Sequence, residues 1–162
     1  MRKSVAAAGT SVFFALAPGV VAGLVPWLLT DWEMRGPGTL PLLRLAGIFL
    51  LAAGAGALVG AFVRFVVEGL GTPAPVAPTQ HLVVGGLYRH VRNPMYTAVV
   101  ATILGQALWL RQPVLLLYAA LVATVVAAFV HLYEEPTLSR RYGAEYDAYR
   151  AAVPRWLPRS KG

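Results

Sequence analysis

The chain of 162 residues has room for one domain, and 57% of it is apolar, above the roughly 45–50% usual for soluble domains. Only 13% is charged, too little polar surface to disperse a soluble protein of this size, and the absence of cysteine excludes disulfides, thiolate catalysis and Cys-ligated zinc. The net charge of +7 comes without basic–aromatic interleaving or a Gly-rich phosphate loop, so it is read as a membrane-orienting excess and not as a nucleic-acid footprint.

Four apolar stretches predict an all-α integral membrane fold of about four transmembrane helices with a C-terminal cytoplasmic helical tail. The first runs from Val5 to Leu29, and the second has its uncharged centre from Leu45 to Val63. The third runs from Pro94 to Leu110 and the fourth from Val114 to Tyr133. Each is near the roughly 20 residues that cross the hydrocarbon as a helix. Met1-Arg2-Lys3 resembles the start of a secretory signal, but the apolar run outlasts a signal core of roughly 7–15 residues, which predicts a retained helix kinked near Pro18. In the second helix Ala52, Gly56 and Gly60 recur every four residues, a small-residue seam for close helix packing.

Between the second and third helices GTPAPVAPTQ, from Gly71 to Gln80, is a proline-rich connector that cannot continue a helix. With four crossings both termini share a side. That side collects Arg2, Lys3, Arg64, Arg89, Arg92, Arg140, Arg141, Arg150, Arg155, Arg159 and Lys161, against Arg35, Arg44 and Arg111 opposite. The bias places both termini and the middle loop in the cytoplasm of a bacterial-type inner or plasma membrane. Trp27, Trp32 and Trp109 then fall at the outer headgroup layer. From Glu134 the chain turns polar, with Pro136 suited to a first helical turn and Gly143 to a stop. Leu138, Tyr142, Tyr149 and Val153 share a helical face, so the tail either lies on the membrane surface or folds back on the bundle.

Two constellations hold most of the polar side chains on the cytoplasmic side. One is GLYRHVRNPMY, Gly86 to Tyr96; the other opens with Glu134 and Glu135. The short turn at Arg111-Gln112 makes the third and fourth helices antiparallel neighbours, so Arg89, Arg92 and Asn93 should face the acid pair across a small polar pocket. His131 and Glu134 stand three apart, a spacing that can hold a metal, but no further ligand completes a set and no metal site is predicted. Ser4, Ser11, Ser139 and Ser160 occupy no nucleophile context.

At these two motifs the chain resembles the isoprenylcysteine carboxyl methyltransferases and related phospholipid N-methyltransferases. The family's G-x-Y-R-x-x-R-[HN]-P-x-Y is matched by Gly86, Tyr88, Arg89, Arg92, Asn93, Pro94 and Tyr96. Its E-E-x-x-L-x-x-x-[FY]-G-x-x-Y-x-x-Y, with a proline-flanked tail, is matched by EEPTLSRRYGAEYDAYRAAVPRWLP, Glu134 to Pro158. The motifs and the hairpin between them cover residues 71–158.

Length and apolar pattern predict a single membrane domain over residues 1–162 with two N-terminal transmembrane helices (1–70), and the resemblance implies that 71–162 is a cofactor-binding methyltransferase core. It implies S-adenosylmethionine as methyl donor and a membrane lipid or isoprenoid-like acceptor, carboxylate or amine. Donor contacts would fall on Gln80, His81, Leu82, Val83, Tyr88, Asn93, Pro94, Met95, Tyr96 and Glu134, with Arg92, Glu135 and His131 on the substrate side. The prenylcysteine enzymes carry His where this chain has Asn93, and an arginine where it has Val130, which points away from a prenylcysteine acceptor. The rival readings are an NADPH-dependent sterol or enone reductase, which usually has a longer chain, and a non-enzymatic membrane scaffold, against which the intact Tyr88, Asn93, Glu134 and Glu135 speak.

Overall fold

Prolines mark where three of the helices begin, at Pro41, Pro94 and Pro113, because a first-turn residue has no intrahelical use for its N–H. The computed structural model describes residues 16–36, 41–64 and 81–159, with the isolated positions 8, 12 and 67. Helix α1 spans Leu16–Thr30 and α2 Pro41–Arg64. A 3₁₀ turn at Gly86–Arg89 leads into α3, Pro94–Leu110, and a two-residue turn leads into α4, Pro113–Tyr142. A short helix α5, Ala144–Ala152, completes the all-helical architecture, with no strand among the described residues. The connector from Gly71 to Gln80 and the start of the first predicted helix lie outside the described residues.

Only two helices among the described residues, α2 and α4, are long and apolar enough to cross a bilayer, fewer than the four expected. Helix α3 has 17 residues and rises about 26 Å, short of the roughly 30 Å hydrocarbon. Its bounds come from Pro94 at one end and from the left-handed Arg111 (φ 54°) at the other. Protein, not lipid, covers much of it: Ala98, Val99, Thr102, Ile103, Gly105, Gln106 and Ala107 are all buried. Helices α2 and α4 do the reverse. They expose Leu42, Leu45, Phe49, Leu117, Leu121 and Val125, an apolar surface suited to lipid.

The α2–α3 contact is the closest in the bundle, and glycine makes it possible. A Cβ on Gly47 would lie 2.5 Å from the Trp109 backbone nitrogen, and one on Gly105 would lie 2.5 Å from that of Leu51. One on Gly54 would lie 2.6 Å from the Thr102 hydroxyl. The seam is therefore Gly47, Gly54, Leu58 and Ala61, the buried residues of α2. The expected stripe of Ala52, Gly56 and Gly60 is rotated off it. Ala52 is exposed, and a Cβ on Gly56 would meet nothing within 4 Å.

Where a kink was expected near Pro18, α1 instead winds a π-turn at Val20–Leu24. The N–H of Val25 bonds the Val20 carbonyl, and Pro26 has no N–H to offer. The carbonyls of Val21 and Ala22 are thereby left without helical donors. The Tyr118 hydroxyl donates to Val21 and the Gln106 amide to Ala22, each at 2.7 Å. The Trp32 indole donates in turn to Gln106 Oε1 at 3.1 Å. Buried Gln106 and half-buried Tyr118 thus fasten α1 to α3 and α4.

Gly105→Val should lower the detergent melting temperature by the equivalent of about 1–3 kcal/mol of overpacking. Gly56→Ala, outside the contact, should leave it nearly unchanged.

Candidate active site

At the end of the bundle opposite the Arg111 turn, α4 passes through a second π-turn, Val130–Glu134, whose closing bond runs from the Glu135 N–H to the Val130 carbonyl. Pro136 follows, again two residues beyond the turn. The two acids therefore sit at the junction of π- and α-geometry. Successive helical side chains diverge by about 100°, so neighbouring carboxylates meet different surroundings.

Glu135 is only 6% exposed and fully paired. Arg92 Nη1 lies 2.8 Å from one of its oxygens. Arg155 closes a fork on both, Nε at 2.9 Å and Nη2 at 2.7 Å. Planar guanidinium and carboxylate groups match in this way and hold each other's orientation. Arg92 Nη1 also reaches the Tyr146 hydroxyl at 3.3 Å, and Tyr146 is 2% exposed.

Glu134 is held differently. Its carboxylate accepts a hydrogen bond from the Tyr96 hydroxyl and lies within electrostatic range of Tyr88. Its Oε2 is buried and has no hydrogen-bond partner among the described residues. A half-satisfied buried carboxylate is costly, and suits a ligand that brings positive charge and donors.

The loop before α3 is fastened by the tail. The Arg92 N–H donates to the Pro154 carbonyl at 2.9 Å, and the Asn93 amide to the Arg155 carbonyl at 3.2 Å. The Tyr149 hydroxyl donates to the Tyr88 carbonyl at 2.7 Å. Of the two placements open to the tail, it folds back on the bundle. Gly143 (φ 52°) breaks the helix between Tyr142 and Ala144, so the predicted four-residue face is not continuous. Of that face Val153 is buried and Leu138, Tyr142 and Tyr149 are half-buried, while Tyr146, outside it, is the most buried residue of the tail.

The structure thus brings Tyr88, Arg92, Tyr96, Glu134 and Glu135 together, with Asn93 joined to the Arg155 carbonyl beside them; Arg89, expected to face the acids, is exposed and lines a separate cleft. Pro94 and Met95 are buried at the start of α3, and Val83 is buried in the core. Leu82 is half-buried, while His81 and His131 are exposed. Gln80 lies outside the described residues. Tyr146 and Arg155 were not singled out from the sequence as site residues. The available signal was charge balance, since two adjacent buried acids facing Arg92 alone require a second cation. A cleft of about 410 Å³ lies on the α2 side of the loop, lined by Gly60, Arg64, Gly86, Leu87, Arg89 and His90.

Burial, reinforced by the negative charge of Glu134, pushes the Tyr88 phenol well above its ordinary range. Burial likewise raises Tyr149, against the opposing pull of Arg92. Both remain neutral at any working pH.

An all-helical membrane bundle that concentrates paired and half-paired ionisable groups at one rim is built as an enzyme or carrier site, since packing alone does not require such groups. The family model for phospholipid methyltransferases matches residues 43–145. The chain belongs to that family, and membership supports methyltransferase activity on a lipid-like substrate. The match begins inside α2, well before the motifs read from sequence, and ends before Tyr146 and Arg155. No curated protein and no solved structure gives a match.

Glu135→Gln should destabilise the detergent-solubilised protein by about 3–5 kcal/mol, since it strips the buried Arg92 of its counter-charge; thermal or denaturant unfolding measures it. Stability should also fall as pH rises past about 10, where unfolded tyrosines ionise while folded Tyr88 and Tyr149 keep their protons. Tyr149→Phe should reduce that alkaline loss.

Proposed function

We propose that the chain transfers a methyl group from S-adenosylmethionine to a lipid-like or isoprenoid acceptor, a carboxylate or an amine, at the cytoplasmic membrane face. The observation that carries the reading is the buried, unpartnered Oε2 of Glu134 beside Tyr96, within a family of methyltransferases. The donor's ammonium is a cation with N–H groups, which is what that oxygen lacks. When bound, the donor supplies an electrophilic methyl on a sulfonium that becomes a neutral thioether as the methyl leaves.

Glu134 would hold the positive end of the donor, with Tyr88, Asn93, Pro94, Met95 and Tyr96 as walls. His81, Leu82 and Val83 would approach from the preceding segment, next to Gln80. Methyl transfer is an in-line displacement at carbon, so the protein's contribution is alignment and exclusion of water. A carboxylate acceptor attacks without a base, whereas an amine must arrive unprotonated. Arg92 and Glu135 are paired with each other and with Arg155, so they are read as the frame that fixes the site and not as proton-exchanging groups. Exposed His131 is left as the candidate on the acceptor side. The excess of basic residues at this end supports a cytoplasmic site. The apolar faces of α2 and α4 give the acceptor a route from the bilayer.

Equilibrium titration of the detergent-solubilised protein with S-adenosylmethionine should show saturable binding that Glu134→Ala abolishes and Glu134→Gln weakens by about tenfold or more. NADPH should not compete. Unchanged affinity in Glu134→Ala would overturn the assignment.

A further inference from the structure

The rim cluster contains two carboxylates, Glu134 and Glu135, and two guanidinium groups, Arg92 and Arg155. Arg155 comes from the tail, ten residues beyond the end of the family match, and its side chain is 37% exposed where Arg92 is 10% exposed. Without it, two consecutive buried acids would share a single cation. Like charges so close favour proton uptake. The acid with the weaker compensation would take the proton, and that acid is Glu134, which has only the Tyr96 hydroxyl. A protonated Glu134 cannot attract a cationic group.

We infer that Arg155 is a positioning residue for the methyl donor. Its fork on Glu135 balances the second acid and fixes the α4 junction, which opposes proton uptake by Glu134. This rests on the proposed role of Glu134 in donor binding. The groups around Glu134 are consistent with it on every side. Tyr88 faces it from the loop, Tyr96 from α3, Glu135 from α4 and Tyr146 from α5. The cations Arg92 and Arg155 stand behind Glu135. Glu134 itself is acted on by burial, by the Tyr96 hydroxyl and by Glu135, so the arginines bear on it through Glu135. The backbone of the same tail segment also holds the loop, through the carbonyls of Pro154 and Arg155. A side-chain change at Arg155 leaves those bonds possible, so the electrostatic effect can be separated from tail docking.

Wild type, Arg155→Gln, Arg155→Lys and Val153→Ala are titrated with S-adenosylmethionine between about pH 5.5 and 8.5, with melting temperatures recorded in parallel. Val153→Ala is the structural comparator, because it thins the buried tail contact without changing charge. Removing a nearby cation raises a carboxylate's pKa, so donor binding by Arg155→Gln should be lost as pH falls, from a midpoint about one unit higher than in wild type. Its affinity should be about tenfold weaker at the acidic end and should approach wild type at the alkaline end. Arg155→Lys should fall between the two, and Val153→Ala should melt earlier with an unmoved profile. Wild-type binding with an Arg155→Gln profile that is unmoved like that of Val153→Ala would overturn the inference alone. No binding by wild type at any pH would overturn the functional reading beneath it.

Discussion

A carboxylate removed from water must have its charge matched, and Glu135 is matched twice. Arg92 reaches it from the loop before α3 and Arg155 from the tail, so three segments far apart in sequence converge on one side chain. Replacing such a triad by apolar residues can be neutral in stability, but removing one member strands the others. Its value here is therefore in specifying geometry. The same loop and tail residues exchange backbone and amide hydrogen bonds, which dock the tail beside the triad. The placement of Tyr88 depends on the same docking, through Tyr149.

Proline shapes both ends of the bundle by one device. In α1 and in α4 a π-turn ends two residues before a proline, at Pro26 and Pro136. A proline inside a helix removes an N–H and crowds the carbonyl one turn back; widening the preceding turn relieves the crowding. In α1 the released carbonyls become docking points for Gln106 and Tyr118. In α4 the widened turn sets the angular positions of Glu134 and Glu135. One local constraint thus anchors a helix at one end of the bundle and aims two acids at the other.

Much of this was legible in the sequence, and the failures have particular causes. The hairpin of α3 and α4 followed from a turn too short to allow any other arrangement, and it delivered the meeting of the Tyr-Arg-Asn-Pro stretch with the acid pair. The glycine seam was misread because four-residue spacing is only one way to line a helix face. The contact here runs at seven residues from Gly47 to Gly54, and only the partner helix decides which stripe is used. Among the described residues two of the four expected crossings are long and apolar enough; α3 falls short because apolar length does not separate lipid from protein as the covering medium, and α3 is covered by protein. Arg155 was counted among orienting charges because one arginine in a basic tail has no signature of its own. What distinguishes it is a partner twenty residues earlier, brought near by the break at Gly143.

The contrast between the two adjacent acids bears most directly on function. The protein gives Glu135 two cations and leaves Glu134 a single phenol, although the two stand side by side at one junction, Glu135 buried and Glu134 half-buried with its Oε2 enclosed. Had the pair served only to pack the tail, an apolar residue in place of Glu134 would avoid the cost of its unsatisfied oxygen. The four charges sum to zero only when Glu134 is counted. On the proposed reading the division is chemical: one acid holds the frame rigid so that the other can be left incomplete for a cationic ligand. On the same reading, Glu134 sits at the end of the bundle that carries most of the basic residues, so a positively charged donor would be met by that carboxylate in particular and not by any general negative field.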